Sequence, residues 1–181
     1  MLKNGRRFFA WAVFIGLWGV AAHAQFDKTP WPRTQSAPPV DLIDMNGQRW
    51  STHTLKGRWV VLNFWATWCG PCKDEMSSLQ ALHANDPLKP LVIGVNVKES
   101  ASTVHRFVQA QQLDFPVVLD PQGELARQWG VRIYPTTILI DPQGQPRWRV
   151  VGEVDWAGET ARSWLQALQK STPSRLVPAG R

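Results

Sequence analysis

The sequence predicts an α/β fold, a central mixed sheet covered by helices on both faces. Three observations carry the expectation. Two nearly continuous apolar runs, 59–65 and 91–97, read as strands buried on both faces. Stretches of helical spacing alternate with strand-like runs along the middle of the chain. A hairpin pattern near the end, 136–151, adds antiparallel strands to what would otherwise be a parallel sheet. With 181 residues, 44% hydrophobic and 19% charged, the chain suits one core and is too apolar for disorder.

Residues 1–24 read as an export leader. Lys3, Arg6 and Arg7 form its basic end, 8–22 its apolar stretch, and Ala22-His23-Ala24 a small-residue cleavage pattern. The apolar stretch holds Gly16 and Gly19 and is shorter than the ~20 residues a spanning helix needs, so cleavage is expected. Retention as an inner-membrane tether is the alternative. Residues 25–39 carry Pro30, Pro32, Pro38 and Pro39 among polar residues, which is linker composition. The folded domain is expected over 40–170.

Within it, 40–43 and 48–50 bracket Asn46-Gly47, a dipeptide that favours the positive φ of a tight hairpin. After the strand at 59–65, Cys72, Met76, Leu79 and Leu82 recur at helical spacing over 71–83, and Asn85-Asp86-Pro87 supplies the stop. Residues 91–97 form the second buried strand, 101–112 a helix with Val104, Phe107 and Val108 on one face, and 116–119 a short strand. A short helix follows over 122–129. The hairpin 136–140 and 146–151 turns at Asp141-Pro142-Gln143-Gly144, and 156–169 is helical through Ala157, Ala161, Trp164, Leu165 and Leu168. The tail 171–181 is expected to be loose.

The net charge of +6 overstates the basicity of an exported product. Three of the 20 basic residues and none of the 14 acidic ones lie in 1–24, which leaves 17 against 14, a net of +3. That balance is not a nucleic-acid footprint. Arg147 and Arg149 about Trp148 read as the wet face of a strand.

The two cysteines, Cys69 and Cys72, are three positions apart. A small exported domain that relied on disulfides for stability would use several bridges across longer loops, so a lone Cys-x-x-Cys points to redox chemistry. Cys69 falls where a buried strand meets a helix, where unpaired N–H groups and the helix dipole stabilise a thiolate. Cys72 sits one turn inside. Cys69 is therefore expected to attack a substrate disulfide and Cys72 to resolve the mixed disulfide. Pro71 suits an early helical turn, and Gly70 keeps bulk from the sulfurs. Half a zinc site is the competing reading, but His53, His83 and His105 show no paired spacing with the cysteines, so no metal and no cofactor are expected. An inert disulfide and a Cu(I)-binding thiol pair are the others. His83 and His105 read as helix-surface residues.

The segment Phe64-Trp65-Ala66, then Trp68-Cys69-Gly70-Pro71-Cys72-Lys73, closely resembles the active-site segment of the thioredoxin superfamily. The stretch from Val40 to Gln169, with Gly130-Val131-Arg132-Ile133-Tyr134-Pro135-Thr136-Thr137, is similar to the TlpA/ResA-like branch of exported or tethered thioredoxins, an AhpC/TSA-redoxin-like domain. The resemblance implies a thioredoxin fold with an N-terminal hairpin and a strand-helix insertion. It implies that Pro135 is a cis-proline beside the cysteines, and that Trp68, Gly70, Pro71, Tyr134 and Pro135 receive substrate. Thioredoxins proper carry a buried aspartate where this chain has Asn63. The branch places a proton-transfer glutamate three residues after the second cysteine, which Glu75 matches, and residues three apart on a helix are neighbours. A solvated surface carboxylate is the bland alternative, because Lys73 and Asp74 beside it are surface types. Trp59, Trp65 and Trp164 read as core.

The function expected on these grounds is that of a periplasmic thiol:disulfide oxidoreductase, most simply a reductase. It would take electrons from a membrane donor of the thiol-reductase type and pass them to specific protein disulfides, of the cytochrome c maturation or copper-centre assembly kind. The reducing direction rests on analogy with Cys-Gly-Pro-Cys proteins. A copper chaperone, or a docking module with a structural disulfide, is the rival from another class. A peroxidase would need a separate peroxidatic cysteine, and the chain has none.

Overall fold

In the computed structural model, residues 26–87 and 89–171 are described, so the predicted leader and the tail beyond Ser171 lie outside them. The first half of the chain forms β1 (Phe26–Pro30), β2 (Asp41–Ile43), β3 (Arg49–Ser51), β4 (Val60–Trp65), α1 (Gly70–Asn85) and β5 (Leu91–Val97). The second half forms α2 (Ala101–Gln111), β6 (Val117–Asp120), α3 (Glu124–Gln128), β7 (Thr136–Ile140), β8 (Pro146–Gly152) and α4 (Glu159–Ser171).

Six strands make one mixed sheet in the order β1-β8-β7-β4-β5-β6. Strands β4, β5 and β6 are parallel, and β7, β8 and β1 add antiparallel on the other side. Every residue of β4, β5 and β7 is buried, which explains their largely apolar character. Alternation divides the side chains between two cores. Val61, Trp65, Val92 and Leu139 pack with Met76, Leu79 and Leu82 of α1, Val104 of α2, and Ala161 and Leu165 of α4. Val60, Leu62, Phe64, Ile93 and Ile138 pack on the opposite face with Ala126 of α3, Trp129, and Leu42 and Trp50 of the β2–β3 hairpin. The hairpin joins the sheet edge through the Asp44–Val118 bridge.

The chain departs from the sequence-based reading at its start. Residues 26–30, expected as linker, form an edge strand paired with β8 from Phe26–Gly152 to Pro30–Trp148. The composition hides it because an edge strand tolerates proline and pairs through its backbone. Side-chain anchors supplement the pairing: Phe26 meets Trp164 edge-on at 5.1 Å, and Lys28 Nζ lies 3.8 Å from the Trp148 ring centre and 4.8 Å from that of Trp164. Trp31 is buried against Trp129. The last helix begins at Glu159 rather than 156, since Trp156 lies in the turn before it and is fully buried.

Candidate active site

Burial of β4 carries the chain to Trp65 and Ala66 in the core, after which Thr67 and Trp68 lead out to the surface. Cys69 is the N-cap of α1, with φ −84° and ψ 111°, and Pro71 stands in the first turn. The Cys69 sulfur accepts the Cys72 backbone N–H at 3.3 Å. Sγ thus sits where the helix offers an unpaired donor and the positive end of its dipole. The two cysteines are joined as a disulfide with Cα atoms 5.3 Å apart. They differ in access: Cys69 retains 7% exposure and Cys72 none.

Around Cys69 the surface is apolar. Trp68 is 65% exposed, and its ring lies edge-on to Tyr134 at 6.0 Å. The Tyr134–Pro135 peptide bond is cis. Ile133, one residue further back, is 63% exposed, the most apolar addition to the site that sequence reasoning missed. Its only sequence signal was proximity to Pro135. Gly70 and Pro71 are exposed beside the sulfurs.

Glu75 is buried at 1% exposure, which contradicts the surface-carboxylate alternative, while Lys73 and Asp74 are exposed. Its Oε1 accepts from Asn63 Nδ2 at 2.6 Å, and its Oε2 from Val154 N–H at 3.2 Å and Trp156 Nε1–H at 3.3 Å. Burial pushes its carboxyl from the ordinary 4.5 up to about 7. The three donors pull the other way without overcoming that effect, and the charge of Glu153 adds to the rise. Asn63 also donates to Thr137 Oγ1 at 3.0 Å. Ser78, one turn after Glu75, donates to Val154 O and accepts from Trp156 N–H, so the segment after β8 is fixed to α1 at two levels.

A second carboxylate at the site was not legible in the sequence. Glu99, in the loop after β5, accepts from Thr67 N–H, Thr67 Oγ1 and Asn96 Nδ2, and so holds the loop that enters Cys69. Its one sequence signal was its place just past the C-terminal end of a strand parallel to β4. His83 is half-buried rather than a plain surface residue: its Nδ1 faces Val92 N–H at 3.5 Å and its ring meets Phe115. Trp59 and Trp65 are buried as expected, and Trp164 partly so. Among the described residues no three His, Cys, Asp or Glu side chains are grouped to hold a metal ion.

The chain that carries this helix-capping disulfide is similar to known proteins. The AhpC/TSA family's sequence model matches residues 34–149. The thiol-disulfide oxidoreductase ResA of Bacillus subtilis (strain 168) is 40% identical over 110 residues, 60% of this chain and 62% of that protein, so the match spans less than two thirds of it. The thiol-disulfide oxidoreductase ResA of Bacillus anthracis is 30% identical over 178 residues, 95% of this chain and 100% of that one. Among solved structures, StoA from Bacillus subtilis superposes with a TM-score of 0.60 at 28% identity, covering 71% of this chain and 96% of that one.

Proposed function

This chain belongs to the AhpC/TSA family, as a TlpA/ResA-like member of the thioredoxin superfamily and a thiol:disulfide oxidoreductase, and from that premise we propose that it is an exported reductase of specific protein disulfides. The observation that carries the reading is the asymmetry of the pair: Cys69 caps the helix at the surface, and Cys72 is enclosed.

In the reaction this supports, the Cys69 thiolate attacks one sulfur of the substrate disulfide, and the other leaves as a thiolate that takes a proton from water. Cys72 then gives its proton to the Glu75 carboxylate and attacks Cys69 Sγ. The Cys69–Cys72 bond forms, the mixed disulfide breaks, and the second substrate sulfur departs. Two electrons pass from the enzyme dithiol to the substrate. A carboxyl with a pKa of about 7 suits the task, because it is poised to take and return a proton near neutrality. Trp68, Ile133 and Tyr134 offer the apolar surface for the substrate segment that flanks its cysteine, with Gly70, Pro71 and Pro135 beside the sulfurs.

The leader pattern at 1–24 supports a periplasmic site of action, and among the described residues no helix is long and apolar enough to cross a membrane. A membrane thiol reductase would then return electrons to the pair. Substrates of the cytochrome c maturation or copper-centre assembly kind fit a reductase outside the cytoplasm. Equilibration of the pair with a glutathione redox buffer tests the direction. A potential near the about −270 mV of thioredoxin is expected, and one near the about −120 mV of strong oxidants contradicts a reducing role.

A further inference from the structure

Among the described residues, both oxygens of Glu75 face donors. Asn63 Nδ2 lies on Oε1, and the Val154 N–H and Trp156 Nε1–H lie on Oε2. That set suits a carboxylate, which only accepts. Once Glu75 takes a proton it carries an O–H, and at a position closed to water that hydrogen requires an acceptor. The N–H groups of Val154 and Trp156 cannot reverse their sense. A primary amide can, because turning over its terminal torsion exchanges nitrogen for oxygen.

Asn63 is placed for this. It is fully buried, and its Oδ1 has no hydrogen-bond partner among the described residues. Its Nδ2 meets both Glu75 and the Thr137 hydroxyl, and a hydroxyl can accept from the nitrogen or donate to the oxygen that replaces it. One amide atom lacks a partner in either orientation, Oδ1 in one and Nδ2 in the other, so neither is fully satisfied and the proton on Glu75 shifts the balance between them.

We propose that Asn63 is a positioning residue for proton transfer, its side-chain amide turning over each time Glu75 gains or loses a proton, with Nδ2 toward the carboxylate and Oδ1 toward the acid. The proposal rests on the reading of Glu75 as the proton-transfer group of the cysteine pair. No further reactant enters: the proton is the one Cys72 loses on attacking Cys69 Sγ, and it returns to a cysteine when the pair is reduced again. The charged group that acts on Glu75 from outside its own helix is Glu153, after β8. Strands β4 and β7 present neutral Asn63 and Thr137, and on α1 the neighbour is Cys72, three residues before it, which is held in the disulfide in the oxidised protein.

The test is a titration of the oxidised, isotopically labelled protein by NMR between pH 5 and 9, following Glu75 Cδ and the Asn63 side-chain amide. Both are expected to move with one midpoint near 7, and in Glu75→Gln the Asn63 amide should be independent of pH. Asn63→Asp places a second carboxyl within hydrogen-bond reach of the first. The two cannot both ionise readily, so the upper midpoint should rise by about a unit or more and carry the pH profile of the resolving step with it. If that variant does not fold, the wild-type titration still decides. Glu75 Cδ titrating while the Asn63 amide stays fixed overturns the turnover and leaves the role of Glu75 standing. A Glu75 Cδ that does not titrate in this range removes both.

Discussion

The carboxylate of Glu99 accepts the backbone N–H of Thr67 at 2.7 Å and its hydroxyl at 2.5 Å. Two residues further on is Cys69, so a side chain rooted beyond β5 governs how rigidly the loop presents Trp68 and the attacking sulfur. Glu99→Ala leaves the Thr67 and Asn96 donors without that acceptor. Hydrogen bonds to a charged group contribute about 1.5–3 kcal/mol, and a loss of stability of that order is expected by urea denaturation. A slackened loop should also lower kcat/KM toward a protein disulfide by roughly tenfold, since small misplacements of a reacting group are costly. Thr67→Val keeps the N–H contact and should fall between the two.

Glu75 makes stability depend on pH in a direction opposite to that of an ion-paired carboxylate. The folded protein holds the proton up to about pH 7, whereas the unfolded chain releases it near 4.5. The contribution of this group is therefore fully present below about 4.5, falls as pH rises, and is lost above about 7. The shift corresponds to roughly 3 kcal/mol. Glu75→Gln should remove that slope, so that the variant gains on the wild type by about that amount between pH 4.5 and 8 in paired denaturation curves. The same variant should slow resolution of a mixed disulfide on the order of 100-fold and flatten its pH dependence. Wild-type rates across the range would place Glu75 outside the proton path.

Trp68 has most of its surface in water, so its removal deletes little packing. Trp68→Ala should change unfolding free energy by less than about 0.5 kcal/mol. If its ring anchors the substrate, the KM for a protein disulfide should rise by about fivefold or more in steady-state assays. An unchanged KM would mean that the ring only packs on Tyr134.

How much of this was legible varied with where the determining contacts lie in the chain. β4 and β5 were visible because strands buried on both faces admit few polar residues, and α1 because Cys72, Met76, Leu79 and Leu82 share one face. β1 was not, since Asp27, Lys28, Thr29 and Pro30 pair through their backbone and carry no apolar alternation. Glu75 showed its importance only through family resemblance. What buries it, the Val154–Trp156 segment, arrives about 80 residues later, and no local pattern registers that. Glu99 was missed for the same reason: its partner Thr67 lies 32 residues back, across a helix and a strand.

The division of labour between the two sulfurs underlies the whole reaction, and trapping tests it most directly. With Cys72→Ser the attacking thiolate of Cys69 remains and the group that releases the substrate is gone. Mixed disulfides with natural partners should accumulate on Cys69 and be recovered on non-reducing gels, while Cys69→Ser accumulates few. In the reduced wild type, iodoacetamide should modify Cys69 first, with a pKa below the about 8.5 of a free cysteine. Trapping chiefly through Cys72, or equal and slow labelling of both thiols, would contradict the assignment.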